Sequence, residues 1–176
     1  MICAILALLV ALIVQSTVAY FTTTSTARNV ITTGTIDISL TEKTVSGDVL
    51  TDVKNLVPGD TVSQNVTVTN HEMPAYVRMK CSISVQNEEG NFLASDGIFL
   101  LDMNEEAWTY RDGWWYYDRP LNTGEVSQPL FTQVLFSAEA DNDYKKCEVW
   151  VELQAQATQV ANNGTDVFTA AGWPEP

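Results

Sequence analysis

A single histidine in 176 residues limits what this chain can do by chemistry. His71 stands in "TNHEMPAY", with Glu72 beside it. A zinc endopeptidase of the common kind needs two histidines on one helical face and a glutamate as base, so that three protein ligands leave a fourth position open. His71 alone does not supply that set, and its flanks read as a turn between two strands. A serine triad has no Gly-x-Ser-x-Gly elbow to carry it. Acidic knots at Asp102–Glu106 and Asp141–Tyr144 offer hard oxygen ligands suited to calcium, yet neither completes a calcium-loop pattern. The expectation is therefore no catalytic residue, no metal ligand set and no cofactor; calcium and zinc are the ions these residues could hold.

Cys81 and Cys147 lie on the apolar sides of alternating stretches, away from the exposed, low-pKa setting of a nucleophile. They read as buried thiols or as a disulfide, the latter only if adjacent strands bring their Cα atoms near, because facing sheets are about 10 Å apart. The run "WTYRDGWWYYDR" holds Trp108, Tyr110, Trp114, Trp115, Tyr116 and Tyr117, which cannot all face one core. Some of these rings belong on an outer face, as cross-strand pairs, subunit contacts or a platform for sugars.

The elements that must position these residues are strands. In "AYVRMKCSISVQ" apolar Ala75, Val77, Met79, Cys81, Ile83 and Val85 alternate with Tyr76, Arg78, Lys80, Ser82, Ser84 and Gln86, a period of two with one buried face. "CEVWVELQAQA" repeats the device from Cys147 to Ala157. Shorter alternations follow Ile36, Ile38 and Leu40; Val62, Val66 and Val68; and Leu130, Val134 and Phe136. "VPGD" at 57–60 and Asp112-Gly113 mark turns, and "FLASDGIFLLDMNEE" stays unassigned. About seven or eight short strands with no helical period predict an all-β fold, an antiparallel jelly-roll-like β-sandwich.

Ahead of it, "ICAILALLVALIV" is too short for a bilayer core of about 30 Å and suits a short signal-peptide helix, with Thr17 and Ala19 placing cleavage between Ala19 and Tyr20. No Lys or Arg precedes that run. The expected organisation is a signal peptide at 1–19, an extended segment at 20–34, a sandwich domain at 35–170 and a loose tail at 171–176. A net charge of −13 disfavours nucleic acid and anionic lipid, so membrane contact is expected only through the uncleaved signal.

Several stretches together, "AYFTTTSTARNVITTGTIDISLTEK", "NLVPGDTVSQNVTVTN", "PAYVRMKCSI" and "WWYYDRPLNTGE", resemble the TasA and camelysin-like family of Gram-positive bacteria. The resemblance implies export to the cell surface or extracellular matrix, a dedicated signal peptidase, a jelly roll, and self-assembly of biofilm-matrix fibres by N-terminal strand addition. The donor would be the Thr-rich segment Tyr20, Phe21, Thr22, Thr23, Thr24, Ser25, Thr26, Ala27, Arg28, Asn29 and Val30, whose β-branched residues favour extended backbone. Camelysin is itself described as a surface metalloprotease, so a metallo-endopeptidase is the rival expectation. A monomeric adhesion or glycan-binding module using the aromatic hairpin is the third.

Overall fold

Strict alternation over twelve residues makes β4 (Ala75–Gln86) the central strand of the larger sheet. The computed structural model describes residues 37–43 and 56–174. Along its whole length β4 pairs antiparallel with β10 (Glu148–Gln159), Ala75 lying opposite Gln159 and Gln86 opposite Glu148. The other side of β4 takes β8 (Trp114–Tyr117) at Arg78 and Met79, and the short β5 (Phe92–Leu93) at Val85 and Gln86. Beyond β8 lies β7 (Trp108–Arg111). The β7–β8 turn uses Asp112 at φ 51° and Gly113 at φ 82°, the two positive values that match the twist of a tight hairpin.

Opposite this sheet, β1 (Ile38–Lys43) pairs with β3 (Asn65–Asn70), and β9 (Gln133–Phe136) lies between β2 (Thr61–Ser63) and β6 (Phe99–Leu101). Gln64 joins β2 to β3 without leaving the layer: its N–H donates to Thr132 O at 2.8 Å, Val66 N–H to Phe131 O, and Ser127 N–H to Val68 O. The second layer therefore runs β1, then β2 with β3, then the chain through β9, then β6. The Val57–Asp60 turn leads into it, closed by Asp60 N–H on Val57 O at 3.0 Å with Gly59 at φ 97°.

Both layers turn their apolar rows inward. Ile38, Val66, Val68, Phe99, Phe131, Val134 and Phe136 meet Val77, Met79, Val85, Trp108, Tyr117, Leu153 and Ala155 in one core. Phe99 and Phe136 stack at 4.9 Å across the β6–β9 pair. This is the expected all-β antiparallel sandwich, and the stretch left unassigned resolves into β5, a turn and β6. Among the described residues no helix is long and apolar enough to cross a membrane. The signal-peptide helix, the Ala19–Tyr20 cleavage point and the segment 20–34 lie outside the described residues.

A loose tail is expected at 171–176; of it, residues 171–174 are described, and they are held against the domain. After β10 the chain turns back over the outer face of the larger sheet, with a short 3-10 turn at Val167–Thr169. Tyr76 hydroxyl donates to Gly164 O at 3.0 Å, Thr158 hydroxyl to Ala171 O at 2.8 Å, and Ala171 N–H to Asn163 Oδ1 at 3.0 Å. Trp173 is half-buried and Pro174 buried. Aromatic burial against Tyr116, whose ring lies 5.7 Å from that of Trp173, outweighs the freedom that flanking prolines suggest.

Candidate functional site

β1 and β10 are the outer strands on one margin of the sandwich, and among the described residues neither has a strand on its free side. The inner rows along this margin are graded. On β10, Ala157, Ala155 and Leu153 are buried, whereas Val151 and Val149 are half-buried. On β1, Ile38 is buried, and Leu40 and Glu42 are half-buried. Cys81 and Ile83 on β4 are half-buried between them. Unpaired backbone N–H and C=O groups with half-wet aliphatic side chains are the two features a sheet needs to accept an added strand.

Glu42 is the anomaly of this margin. It continues the inward row of Ile38 and Leu40, so its carboxylate faces the opening. Gln64, 3% exposed, donates Nε2–H to Glu42 Oε2 at 3.0 Å. Burial holds the Glu42 carboxyl above the usual carboxylate range, against the smaller lowering effect of that hydrogen bond. Burial, with the nearby charge of Glu42, pushes the Cys81 thiol up to about 12.

Cys81 and Cys147 do not form the disulfide considered above: both are free thiols. Alternation placed them on apolar rows, but the register puts Cys81 opposite Leu153, while Cys147 lies just before Glu148. At about 3.3 Å per residue they are roughly 20 Å apart, against the ~7 Å between Cα atoms that a disulfide tolerates. Cys147 donates weakly to Asp143 O at 3.4 Å instead.

His71 sits exposed in the turn between β3 and β4, its Nε2 2.8 Å from Ser39 Oγ and its backbone N–H on Asp37 O. The acidic knots have structural partners. Asp102 accepts from Thr132 N–H, Thr132 hydroxyl and Gln133 N–H at 2.7, 2.5 and 2.6 Å. Burial alone would raise its carboxyl, but these donors hold it below the usual range. Asp141 caps the 3-10 turn at Asn142–Tyr144 by accepting from Asp143 N–H. Among the described residues no three His, Cys, Asp or Glu side chains lie together as a metal site would require.

The aromatic hairpin divides by face. Trp108 and Tyr117 point inward and are buried, their rings 4.9 Å apart, with Trp108 Nε1–H on Gln128 O. Trp114 and Tyr116 point outward, where the returning C-terminal chain covers them. Between Trp114 and Trp173 lies the Arg78 guanidinium, 4.3 and 4.5 Å from the two ring centres. It donates through Nε and Nη2 to Gln156 Oε1 and through Nη1 to Tyr116 hydroxyl. Tyr110, 60% exposed and 5.1 Å from Trp115, is the ring of the six that stays open to a partner. The Arg78 stack was not anticipated, since neither of its tryptophans is near Arg78 in sequence. Glu42 was visible in the spacing Ile38, Leu40, Glu42.

A family model described as camelysin metallo-endopeptidase matches residues 1–96, more than half of the chain. No curated protein matches it.

Proposed function

Since the chain belongs to the TasA/camelysin family of surface proteins, we propose that it is a secreted structural protein whose copies polymerise by N-terminal strand addition. The observation that carries this reading is the margin between β1 and β10, with half-buried Leu40, Ile83, Val149 and Val151 behind two edges that are unpaired among the described residues. Cleavage at Ala19–Tyr20 by a signal peptidase frees Tyr20–Val30, and that segment adds to the margin of a neighbour. Main-chain hydrogen bonds supply affinity, and burial of each aliphatic side chain adds a share of the ~1.5–3 kcal/mol available to full burial. Tyr110 is the ring left for lateral contact between subunits.

The test compares processed protein beginning at Tyr20 with a version lacking residues 20–30. Fibres in electron micrographs and rising light scattering are expected of the first, and monomers of the second. Identical monomeric behaviour of both would end the proposal.

The family description favours a second reading, a surface endopeptidase. A zinc-type site does not fit the described residues: His71 Nε2 is engaged by Ser39, and no second histidine exists to join it. Casein cleavage that survives in a His71→Ala variant would separate any protease activity from this residue.

A further inference from the structure

Two faces of similar composition make the proposed donor strand ambiguous. In extended backbone Tyr20, Thr22, Thr24, Thr26, Arg28 and Val30 share one face, and Phe21, Thr23, Ser25, Ala27 and Asn29 the other. Each face has one aromatic, small hydroxyl residues and one further aliphatic residue. Hydrophobic pattern therefore fixes register weakly, and a slip of one residue would exchange the faces.

The acceptor margin breaks that symmetry. Its inward rows hold Leu40, Cys81, Ile83, Val149 and Val151, which are uncharged, and one carboxylate, Glu42. Among the described residues Gln64 is the hydrogen-bond donor to Glu42, and it serves Oε2. A half-buried carboxylate in an apolar wall calls for a cation. Tyr20–Val30 carries one charged side chain, Arg28; the other charge of the processed segment is the α-ammonium at its end, on Tyr20.

We propose that Arg28 of one copy docks against Glu42 of the next, and that this ion pair sets the register and the inward face of the added strand. Tyr20 and Val30 then point into the acceptor, and Phe21 points away from it. The guanidinium suits the task because its planar fork can engage a carboxylate through two parallel hydrogen bonds, which fixes orientation as well as distance. The inference rests on the strand-addition reading above and adds the residue pair that makes addition specific.

The experiment titrates a fluorescent peptide of residues 20–34 into processed protein and follows anisotropy. Binding of the native peptide is expected, with Arg28→Glu in the peptide weakening it roughly tenfold or more, and Glu42→Arg in the protein restoring the reversed peptide to within a few-fold of native. The full chain with Arg28→Glu and Glu42→Arg together should form fibres where each single reversal does not. If the native peptide binds and both reversals leave affinity unchanged, the ion pair is overturned while strand addition stands. If the peptide does not bind and no fibres form, both fall. If the peptide does not bind while Arg28→Glu lowers the melting temperature of a monomer and Glu42→Arg restores it, the segment occupies its own chain and docking on a second copy is overturned.

Discussion

Removing Arg78 should destabilise the sandwich far more than loss of a surface arginine. Its guanidinium is held between Trp114 and Trp173 and is the group that satisfies Gln156 Oε1, on a side chain with 0% exposure whose Nε2 already lacks a partner among the described residues. Each cation–π contact is worth about 1 kcal/mol in a partly desolvated setting. Stranding the buried amide oxygen adds about 1–3 kcal/mol. Arg78→Met should therefore cost about 3–5 kcal/mol, a fall of about 6–20 °C in melting temperature for a domain of this size. Urea unfolding followed by tryptophan fluorescence measures it. The cause is separable from lost packing by adding Gln156→Leu: with both polar partners gone, the double variant should be more stable than Arg78→Met alone. A cost under about 0.5 kcal/mol for Arg78→Met, or a double variant that loses the sum of the two singles, would refute the reasoning.

Asp102→Asn should cost about 1 kcal/mol at neutral pH, because the carboxylate serves three donors across the β6–β9 approach. Its folded pKa lies below the ordinary one, so the contribution is present above the usual carboxylate range and is lost as pH falls through the lowered value. Wild type and variant should converge in acid unfolding curves. Glu42 has the opposite sign: its folded pKa is raised, so Glu42→Gln should stabilise the monomer at pH 7, with the difference closing as pH falls into the carboxylate range. Unchanged melting at pH 7 would count against an inward carboxylate. Iodoacetamide at pH 8 should modify Cys147 well before Cys81, whose thiol is pushed up to about 12 by burial and by Glu42. Burial, Asp143 and Glu88 also raise Cys147, so its own reaction should be slow rather than absent. Equal labelling by mass spectrometry would contradict the burial of Cys81.

Alternation made β4 and β10 legible because a long period-two row has one physical reading, a strand with one face in the core. Val57–Asp60 and Asp112-Gly113 were legible for a different reason: proline and glycine there meet specific backbone demands. Pairing register was not. The rows of Cys81 and Cys147 told which way each thiol faces, but their offset depends on how far β10 slides along β4, which no local pattern encodes. The returning C-terminal chain was hidden for the same reason. Residues 160–174 are rich in Asn, Gly and Ala with no period, and their burial comes from Phe168 and Trp173 meeting Tyr116 and Arg78 on strands formed much earlier in the chain.

Charge bears on why an open margin need not make this protein indiscriminately adhesive. At −13, copies repel one another at long range, and Glu148 and Glu152 on the outward row of β10 add like charge beside an edge that is unpaired among the described residues. A generic acidic strand would meet that repulsion and leave Glu42 uncompensated in an apolar wall. In the proposed addition Tyr20–Val30 would avoid both penalties, because its charges, the Arg28 side chain and the α-ammonium that cleavage would leave on Tyr20, are positive and the rest of the segment is neutral. The same distribution implies opposing salt effects: screening relieves repulsion between whole subunits, whose charges lie far apart in solvent, more than it weakens a half-buried pair at contact distance. Moderate salt should thus accelerate assembly of native chains, whereas chains with Arg28→Glu should stay monomeric as salt rises.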